Sequence, residues 1–138
     1  MPKIYLSPSD QSNNIYAYGN TTEKEQCGKI ACCLERELKR CGFDVKKNLD
    51  DTMYSRVSES NEWGADLHLC IHTNAFNGSI TGTRIYAWNK AGSGWGIATK
   101  VLHPLRRGRL NLSMLIQSGM KLCILMLHAF TLKRNFTM

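Results

Sequence analysis

Two side chains in this sequence have the chemistry and the setting to share a metal ion. His72 follows the apolar run 66–71, which is typical of a short buried strand, and Glu23 lies in the first turn of a predicted helix. In open α/β sheets, strand C-termini and helix N-termini meet at one edge, where ligands collect. A carboxylate with an imidazole suits Zn²⁺, whose catalytic sites use three protein ligands and leave a position for water. We therefore expect Glu23 and His72 to converge on one ion.

A purely structural interpretation is also open for both residues. A histidine at a strand end commonly serves only as a hydrogen-bonded structural residue, and a first-turn carboxylate satisfies helix N–H groups. His68 alternates with His72 along the same run. Four residues of strand span roughly 13 Å, so His68 is too distant to share the ion easily.

Strand and helix patterns alternate along the chain. The helix over 22–41 has cap candidates at Asn20, Thr21 and Thr22, and Gly42 marks its end. The other predicted elements are strands at 3–6, 43–46, 66–71 and 83–88 and helices at 52–63 and 94–105. This alternation predicts a single α/β domain with a twisted, mostly parallel sheet flanked by helices.

Length and charge limit the class of protein. At 138 residues and 43% hydrophobic, the chain can form one soluble domain with its own core. All eleven acidic residues lie at or before Asp66, whereas nine lysines and arginines follow it. These positive charges are scattered and accompany no nucleic-acid-binding motif, so nucleic acid is not an expected partner.

Neither a signal peptide nor a membrane span is expected. Lys3 is followed by only three apolar residues, whereas the apolar core of a signal peptide has roughly 7–15. The longest apolar stretch, Leu122–Leu132, is interrupted and much shorter than the roughly 20 residues that cross a bilayer. From about residue 106, no helix has acidic residues in its first turn and no strand has clear boundaries. This predicts a domain at 1–105 and an atypical tail at 106–138.

The six cysteines are expected to be reduced thiols. No C-x-x-C pair is present, which argues against a zinc ribbon or a thioredoxin-like motif. Cys27, Cys33 and Cys41 recur with apolar residues at helical spacing, and this spacing predicts that they are buried in the core.

The segment from Arg56 to Ala75 carries a dense family pattern. It reads R-V-x-x-x-N-x-x-x-A-D-L-x-x-x-I-H-x-N-A and is present as Arg56, Val57, Asn61, Ala65, Asp66, Leu67, Ile71, His72, Asn74 and Ala75. The sequence here resembles the zinc-dependent N-acetylmuramoyl-L-alanine amidases of the Amidase_3 type, which are bacterial and phage cell-wall hydrolases. The resemblance covers residues 3–105. The helix that carries the family's glutamate ligand resembles the segment G-N-T-T-E-K-E-Q-C here, and the strand after the histidine loop resembles G-T-R-I-Y.

The resemblance implies a function for the two residues. Glu23 and His72 would be zinc ligands, and the reaction would be hydrolysis of the amide between N-acetylmuramic acid and L-alanine in peptidoglycan. The cell wall or the extracellular space would be the site of action, as for an endolysin. With no signal peptide expected, the protein would stay in the cytoplasm until its release.

The loop after the first strand departs from the family pattern. The family usually has a histidine ligand there, in a D-P-G-H context, whereas this sequence reads S-P-S-D-Q at 7–11. Alignment puts Asp10 in the ligand position, and a carboxylate is an acceptable zinc ligand. Gln11 could instead approach through its amide oxygen, or both residues could serve only to shape the loop.

A second departure concerns catalysis. The family places a general acid/base glutamate on a late strand, but no carboxylate follows Asp66. Losing that group removes a contribution of typically about 10²–10⁴-fold, which predicts weak or absent turnover. One alternative is a non-catalytic peptidoglycan-binding module in which Trp63, Trp88 and Trp95 line a sugar groove, and another is an α/β domain of unrelated function.

The tail at 106–138 does not resemble the family. Its loss of acidic residues suggests a truncation or a shifted reading frame after a genuine amidase front half. Missing late strands would expose a sheet edge and lower solubility, unless Leu122–Leu132 covers that edge. We expect Asn74 to orient the histidine loop and Arg56 to make a structural contact between a helix and the sheet.

Overall fold

A computed structural model describes residues 1–16, 19–74, 84–87, 96 and 122–128. Five strands form one sheet: β1 (Lys3–Pro8), β2 (Asp44–Lys47), β3 (Leu67–Asn74), β4 (Arg84–Ala87) and β5 (Leu122–His128). Two helices accompany them, α1 (Glu23–Arg40) and α2 (Met53–Glu62). The strand order is β2-β1-β3-β5-β4, with parallel pairing except between β4 and β5. This arrangement confirms the predicted α/β class with a mostly parallel sheet flanked by helices.

Helix α1 packs its apolar stripe on one face of the sheet. Its buried residues Glu23, Cys27 and Ala31 recur every fourth position, so they lie on one side of the helix. Cys27 and Ala31 form a core cluster with Ile71, and a second cluster joins Ile4, Leu6 and Val45. Because Glu23 begins the same stripe, packing of the helix also carries its carboxylate to the sheet.

Thr22, one of the three predicted cap candidates, is the N-cap of α1. Its hydroxyl accepts a hydrogen bond from the Glu25 N–H, and the Glu25 carboxylate accepts one from the Thr22 N–H, which completes a capping box. The C-cap is Cys41, and Gly42 follows it with φ +85°. The predicted limits of this helix are therefore confirmed to within one residue at each end.

Removing the cap hydroxyl is expected to weaken the fold. We expect Thr22→Ala to lower the free energy of unfolding by about 1 kcal/mol, because the first turn of α1 loses a hydrogen-bond acceptor. Urea unfolding followed by circular dichroism measures this change. Thr22→Ser keeps the hydroxyl and is the matched control, so an equal loss in both variants would contradict the assignment.

The opposite face of the sheet carries polar side chains under α2. The Tyr5 ring stacks on the buried His68 ring with centroids 5.1 Å apart, and the Tyr5 hydroxyl donates to Glu59 of α2. Arg56 of α2 is also buried, and its Nη1 donates to the backbone carbonyl of Pro8. Arg56 thus makes the structural contact between helix and sheet that the sequence predicts, and His68 lies in this polar layer.

His68 makes stability depend on pH in a defined window. Burial, and secondarily the positive charge of Arg56, lower the pKa of His68 from 6.5 to about 4. The unfolded chain therefore binds a proton below about pH 6.5 that the folded chain does not bind until about pH 4. We expect this histidine to remove roughly 3 kcal/mol of stability as the pH falls through that window.

The matched variant for this effect is His68→Phe. It keeps a ring against Tyr5 and removes Nε2, a buried atom that has no hydrogen-bond partner in the part of the chain that the structure describes. We expect the variant to lose this part of the pH dependence between pH 6.5 and 4, measured by urea unfolding at several pH values. A variant with the wild-type pH profile would show that His68 does not cause the effect.

Strand β3 is longer than predicted. The sequence predicted a strand over 66–71 with His72 just beyond it, whereas β3 continues to Asn74. The extension is paired, because Thr73 and Asn74 lie in register with Leu127 and His128 of β5. Pairing with a strand distant in sequence lengthens β3, and local patterns carry no signal for it.

Strand β5 comes from the tail, where no element was predicted. Its parallel pairing with β3 covers the edge that β3 would otherwise present. Leu122–Leu132 is the segment that the sequence offers as cover for this edge, and Leu122–His128 covers it. The condition for low solubility is therefore not met at β3.

The cysteine prediction is only partly correct. Cys27 and Cys70 are buried, and Cys27, Cys32, Cys33 and Cys41 are free thiols. Cys33 and Cys41, however, are exposed. The apolar stripe of α1 follows Cys27 and Ala31, so Cys33 lies off that stripe and Cys41 lies at the helix end, where packing ceases.

The three tryptophans proposed for a sugar groove lie in different parts of the chain. Trp63 caps α2, and its ring lies 5.3 Å from Nζ of Lys3, at the start of β1. Trp63 thus lies at the end of the sheet opposite His72, and its alternative role in a sugar groove stays a prediction. Trp88, Trp95 and most of the helix predicted at 94–105 lie outside the described residues. Among those described, no helix has the length and apolar character of a membrane span.

Candidate metal centre

Glu23 and His72 meet at the C-terminal edge of the sheet. Oε1 of Glu23 lies 3.1 Å from Nδ1 of His72 and also accepts a hydrogen bond from the Thr73 N–H at 3.2 Å. The Glu23 side chain is 2% exposed and the His72 side chain 26% exposed. The carboxylate of the pair is thus enclosed by protein, and the imidazole is partly open to solvent.

The ends of β1 and β3 bring the neighbouring loop to the same place. Pro8 is in register with Ile71, and the Ser9 N–H donates to the Ile71 carbonyl at 2.8 Å. The chain between β1 and α1, residues 9–22, therefore begins beside His72. We call this segment the β1–α1 loop.

The β1–α1 loop is tied to both elements of the site. The Lys24 N–H donates to the Gln11 carbonyl at 3.3 Å. The Tyr16 hydroxyl donates to Oγ1 of Thr73 at 2.6 Å. Asn14 donates from its side-chain amide to Oε2 of Glu23. Three contacts from one loop thus reach α1, β3 and the carboxylate between them.

The carboxylate of Glu23 is held in its charged form. Burial alone would raise its pKa, but hydrogen bonds from His72, the Thr73 backbone and Asn14 outweigh burial and lower the pKa below the ordinary value of 4.5. The Glu23 carboxylate thus stays ionised although it is buried, and the ionised form is the one that binds a cation.

The predicted third ligand is not assembled with this pair. Asp10 and Gln11 are exposed on the β1–α1 loop, and the Gln11 N–H donates to Oγ of Ser9 at 3.2 Å. Over the described ranges, no three His, Cys, Asp or Glu side chains are grouped so that they could hold a metal ion. Asp10 as a ligand, with Gln11 as its alternative, therefore stays a prediction.

The pair that is assembled fits zinc as two of three ligands. Two donors on a tetrahedral zinc ion, each about 2.0–2.1 Å from it, lie roughly 3.3 Å apart. The observed 3.1 Å between Oε1 of Glu23 and Nδ1 of His72 is close to that separation. An oxygen and an imidazole nitrogen are also the donor types that zinc accepts.

The family profile described as N-acetylmuramoyl-L-alanine amidase, Amidase_3, matches residues 8–126. The chain belongs to this family. The match includes Glu23, His72 and the Arg56–Ala75 pattern, and it continues past residue 105 into most of β5. Residues 106–126, which were expected not to resemble the family, therefore lie within the match. The interpretation of the tail as a shifted reading frame stays a prediction.

Solved amidases share the fold. An N-acetylmuramoyl-L-alanine amidase from Clostridium difficile 630 has a TM-score of 0.74 and 19% identity over 90% of this chain and 77% of its own. The catalytic domain of CwlV, an N-acetylmuramoyl-L-alanine amidase from Bacillus (Paenibacillus) polymyxa var. colistinus, has a TM-score of 0.70 and 20% identity over 91% and 79%. The catalytic domain of the CD27L endolysin, which targets Clostridia difficile, has a TM-score of 0.65 and 17% identity over 91% and 80%. No curated protein matches by sequence.

Sequence analysis of this amidase-family chain missed two contacts of the β1–α1 loop, of which one reaches Glu23 and the other lies outside the proposed ligands. Asn14 and Tyr16 contact Glu23 and Thr73, respectively. The only sequence signal was the polar character of the loop ahead of α1. Hydrogen-bonding residues in a loop have no periodicity, so their partners become evident only in the folded chain.

Proposed function

We propose that this chain is a zinc-dependent N-acetylmuramoyl-L-alanine amidase. It would hydrolyse the amide between N-acetylmuramic acid and the L-alanine of the stem peptide, and it would act at the bacterial cell wall. The observation that carries the proposal is the convergence of Glu23 and His72 at one sheet edge, in a chain with the family's profile and fold.

Three residues of this chain are proposed to hold the ion. Glu23 and His72 are the paired donors, and Asp10 is the third, with Gln11 as its alternative. Zinc, when bound, polarises a carbonyl and lowers the pKa of water toward about 7. Glu23 contributes the buried negative charge of the site, and the Thr73 N–H and the Asn14 amide hold that charge in place.

Turnover is proposed to be slow. Residues 67–138 contain no Asp or Glu, so none of them can act as the late glutamate that moves protons between the attacking water and the leaving amine. We expect a deficit of about 10²–10⁴-fold relative to a family member that has this group.

Metal analysis tests the zinc part of the proposal. Purified protein should bind one zinc ion per chain, and dialysis against a chelator should remove it. Mass spectrometry of digested peptidoglycan should then show stem peptides with free L-alanine amino groups only after zinc is restored. A protein that is folded but binds no zinc would contradict the proposal.

A peptidoglycan-binding module without turnover is the second candidate. The absence of acidic residues after Asp66 favours it, because binding does not need a proton-transfer group. Sedimentation with insoluble peptidoglycan, in parallel with product analysis, separates the two candidates. Co-sedimentation without released products would favour the binding module.

We also propose that the tail diverges from the family through a shifted reading frame. The loss of acidic residues after Asp66 supports this interpretation, whereas the family match through residue 126 opposes it for residues 106–126. A homologous continuation in another frame of the gene would support it further, whereas in-frame conservation of residues 106–138 among relatives would contradict it.

A further inference from the structure

We propose that Asn14 is a positioning residue for the metal ligand Glu23, an inference that rests on the proposed zinc site. Asn14 contacts Glu23 at two points. Its side-chain amide donates to Oε2, and its backbone carbonyl accepts from the Glu23 N–H at 2.9 Å. Asn14 therefore holds both the backbone and the carboxylate of Glu23, the first residue of α1.

The two oxygens of the Glu23 carboxylate have different partners. Oε1 lies against Nδ1 of His72 and the Thr73 N–H, whereas Oε2 accepts from Asn14. Partners on Oε1 alone leave the carboxylate plane free to turn about its terminal side-chain bond, which has a broad torsional preference. The second anchor on Oε2 fixes the plane. Asn14 thus keeps Oε1 directed toward His72, where the two donors can share an ion.

The amide of Asn14 suits this role because it is neutral. A lysine or arginine at this position would neutralise the Glu23 carboxylate and compete with a cation. An amide donates its hydrogen bond without adding a charge. The carboxylate therefore keeps its full negative charge for the metal while its orientation is fixed.

Burial makes the contact difficult to replace. The Glu23 side chain is only 2% exposed, so water has little access to Oε2 if the Asn14 amide is removed. Hydrogen bonds from such outer partners orient metal ligands, and their loss typically costs about 10–100-fold in metal affinity. We expect a loss of that size for Asn14→Ala.

Zinc affinity measured by competition with a chromophoric chelator tests this inference. The wild type, Asn14→Ala and Tyr16→Phe are compared. Tyr16 is the matched control because its hydroxyl ties the same loop to Thr73 and makes no hydrogen bond to Glu23. We expect Asn14→Ala to bind zinc about 10–100-fold more weakly and Tyr16→Phe to stay within about twofold of the wild type.

Thermal unfolding of the zinc-free proteins separates positioning from simple stabilisation. A purely structural role for Asn14 would lower the unfolding temperature and leave the zinc affinity of the folded protein unchanged, which would overturn the inference. Equal losses of affinity in Asn14→Ala and Tyr16→Phe would also overturn it, because the loop attachment would then be the cause. If Asn14→Ala fails to fold, Asn14→Ser keeps a short donor and should show a smaller, measurable loss; wild-type affinity in that variant would count against the inference.

Zinc binding by the wild type distinguishes failure of the proposed zinc site from failure of the role of Asn14. A folded wild type that binds no zinc would overturn the zinc site and the role of Asn14 together. A wild type that binds zinc, with Asn14→Ala binding equally well, would overturn only the role of Asn14.

Discussion

Replacing Glu23 by glutamine is expected to abolish zinc-dependent turnover and to weaken zinc binding by more than the roughly 100-fold that loss of an outer partner can cost. The substitution keeps the shape of the side chain and removes its charge. It also puts an NH₂ group where a carboxylate oxygen accepts hydrogen bonds, so a donor would face either Asn14 or the Thr73 N–H. Chelator competition and product release from peptidoglycan measure the two effects.

Glu25→Gln is the matched control for this prediction. Glu25 lies in the same first turn of α1, and glutamine can replace glutamate in a capping box. The control therefore removes one negative charge from the same turn and preserves the helix start. If Glu25→Gln and Glu23→Gln lowered zinc affinity equally, the general charge of the turn would explain the effect, and Glu23 would not be a ligand.

Replacing Arg56 by alanine is expected to lower the free energy of unfolding by about 2–5 kcal/mol. The side chain is buried, so its loss leaves a cavity between α2 and the sheet. The Pro8 carbonyl also loses the Nη1 donor, at the point where β1 ends and the β1–α1 loop begins. Urea unfolding measures the change.

Arg56→Met separates the cavity from the charge. Nε and Nη2 of Arg56 are buried without hydrogen-bond partners among the described residues, so part of the guanidinium is not compensated there. Methionine fills much of the same volume, and replacing a poorly compensated buried charge by an apolar side chain is often close to neutral. We expect Arg56→Met to be clearly more stable than Arg56→Ala. Equal destabilisation would mean that the guanidinium charge itself stabilises the fold.

Local sequence signals predicted the elements that carry the central pair. Thr22 and Gly42 mark the ends of α1, and Glu23 occupies the first turn as expected. His72 lies on the third parallel strand along the chain, at the sheet edge where α1 begins. These predictions succeed because caps, helical spacing and apolar runs depend on residues that are neighbours in sequence.

Features that depend on distant residues were not predicted. The extension of β3 to Asn74 and the existence of β5 both result from pairing between segments about fifty residues apart in sequence. The contacts of Asn14 depend on where α1 starts after the chain has folded. The exposure of Cys33 follows from the rotation of α1 on the sheet, which helical spacing alone does not determine.

Turnover on purified peptidoglycan, with zinc-loaded and chelator-treated protein in parallel, tests the central claim most directly. The assay counts newly freed L-alanine amino groups and newly formed reducing sugar ends. The account predicts slow release of amino groups, without reducing ends, that stops on chelation and returns with zinc. Folded, zinc-loaded protein that releases no amino groups, or releases them equally in the presence of the chelator, would contradict it.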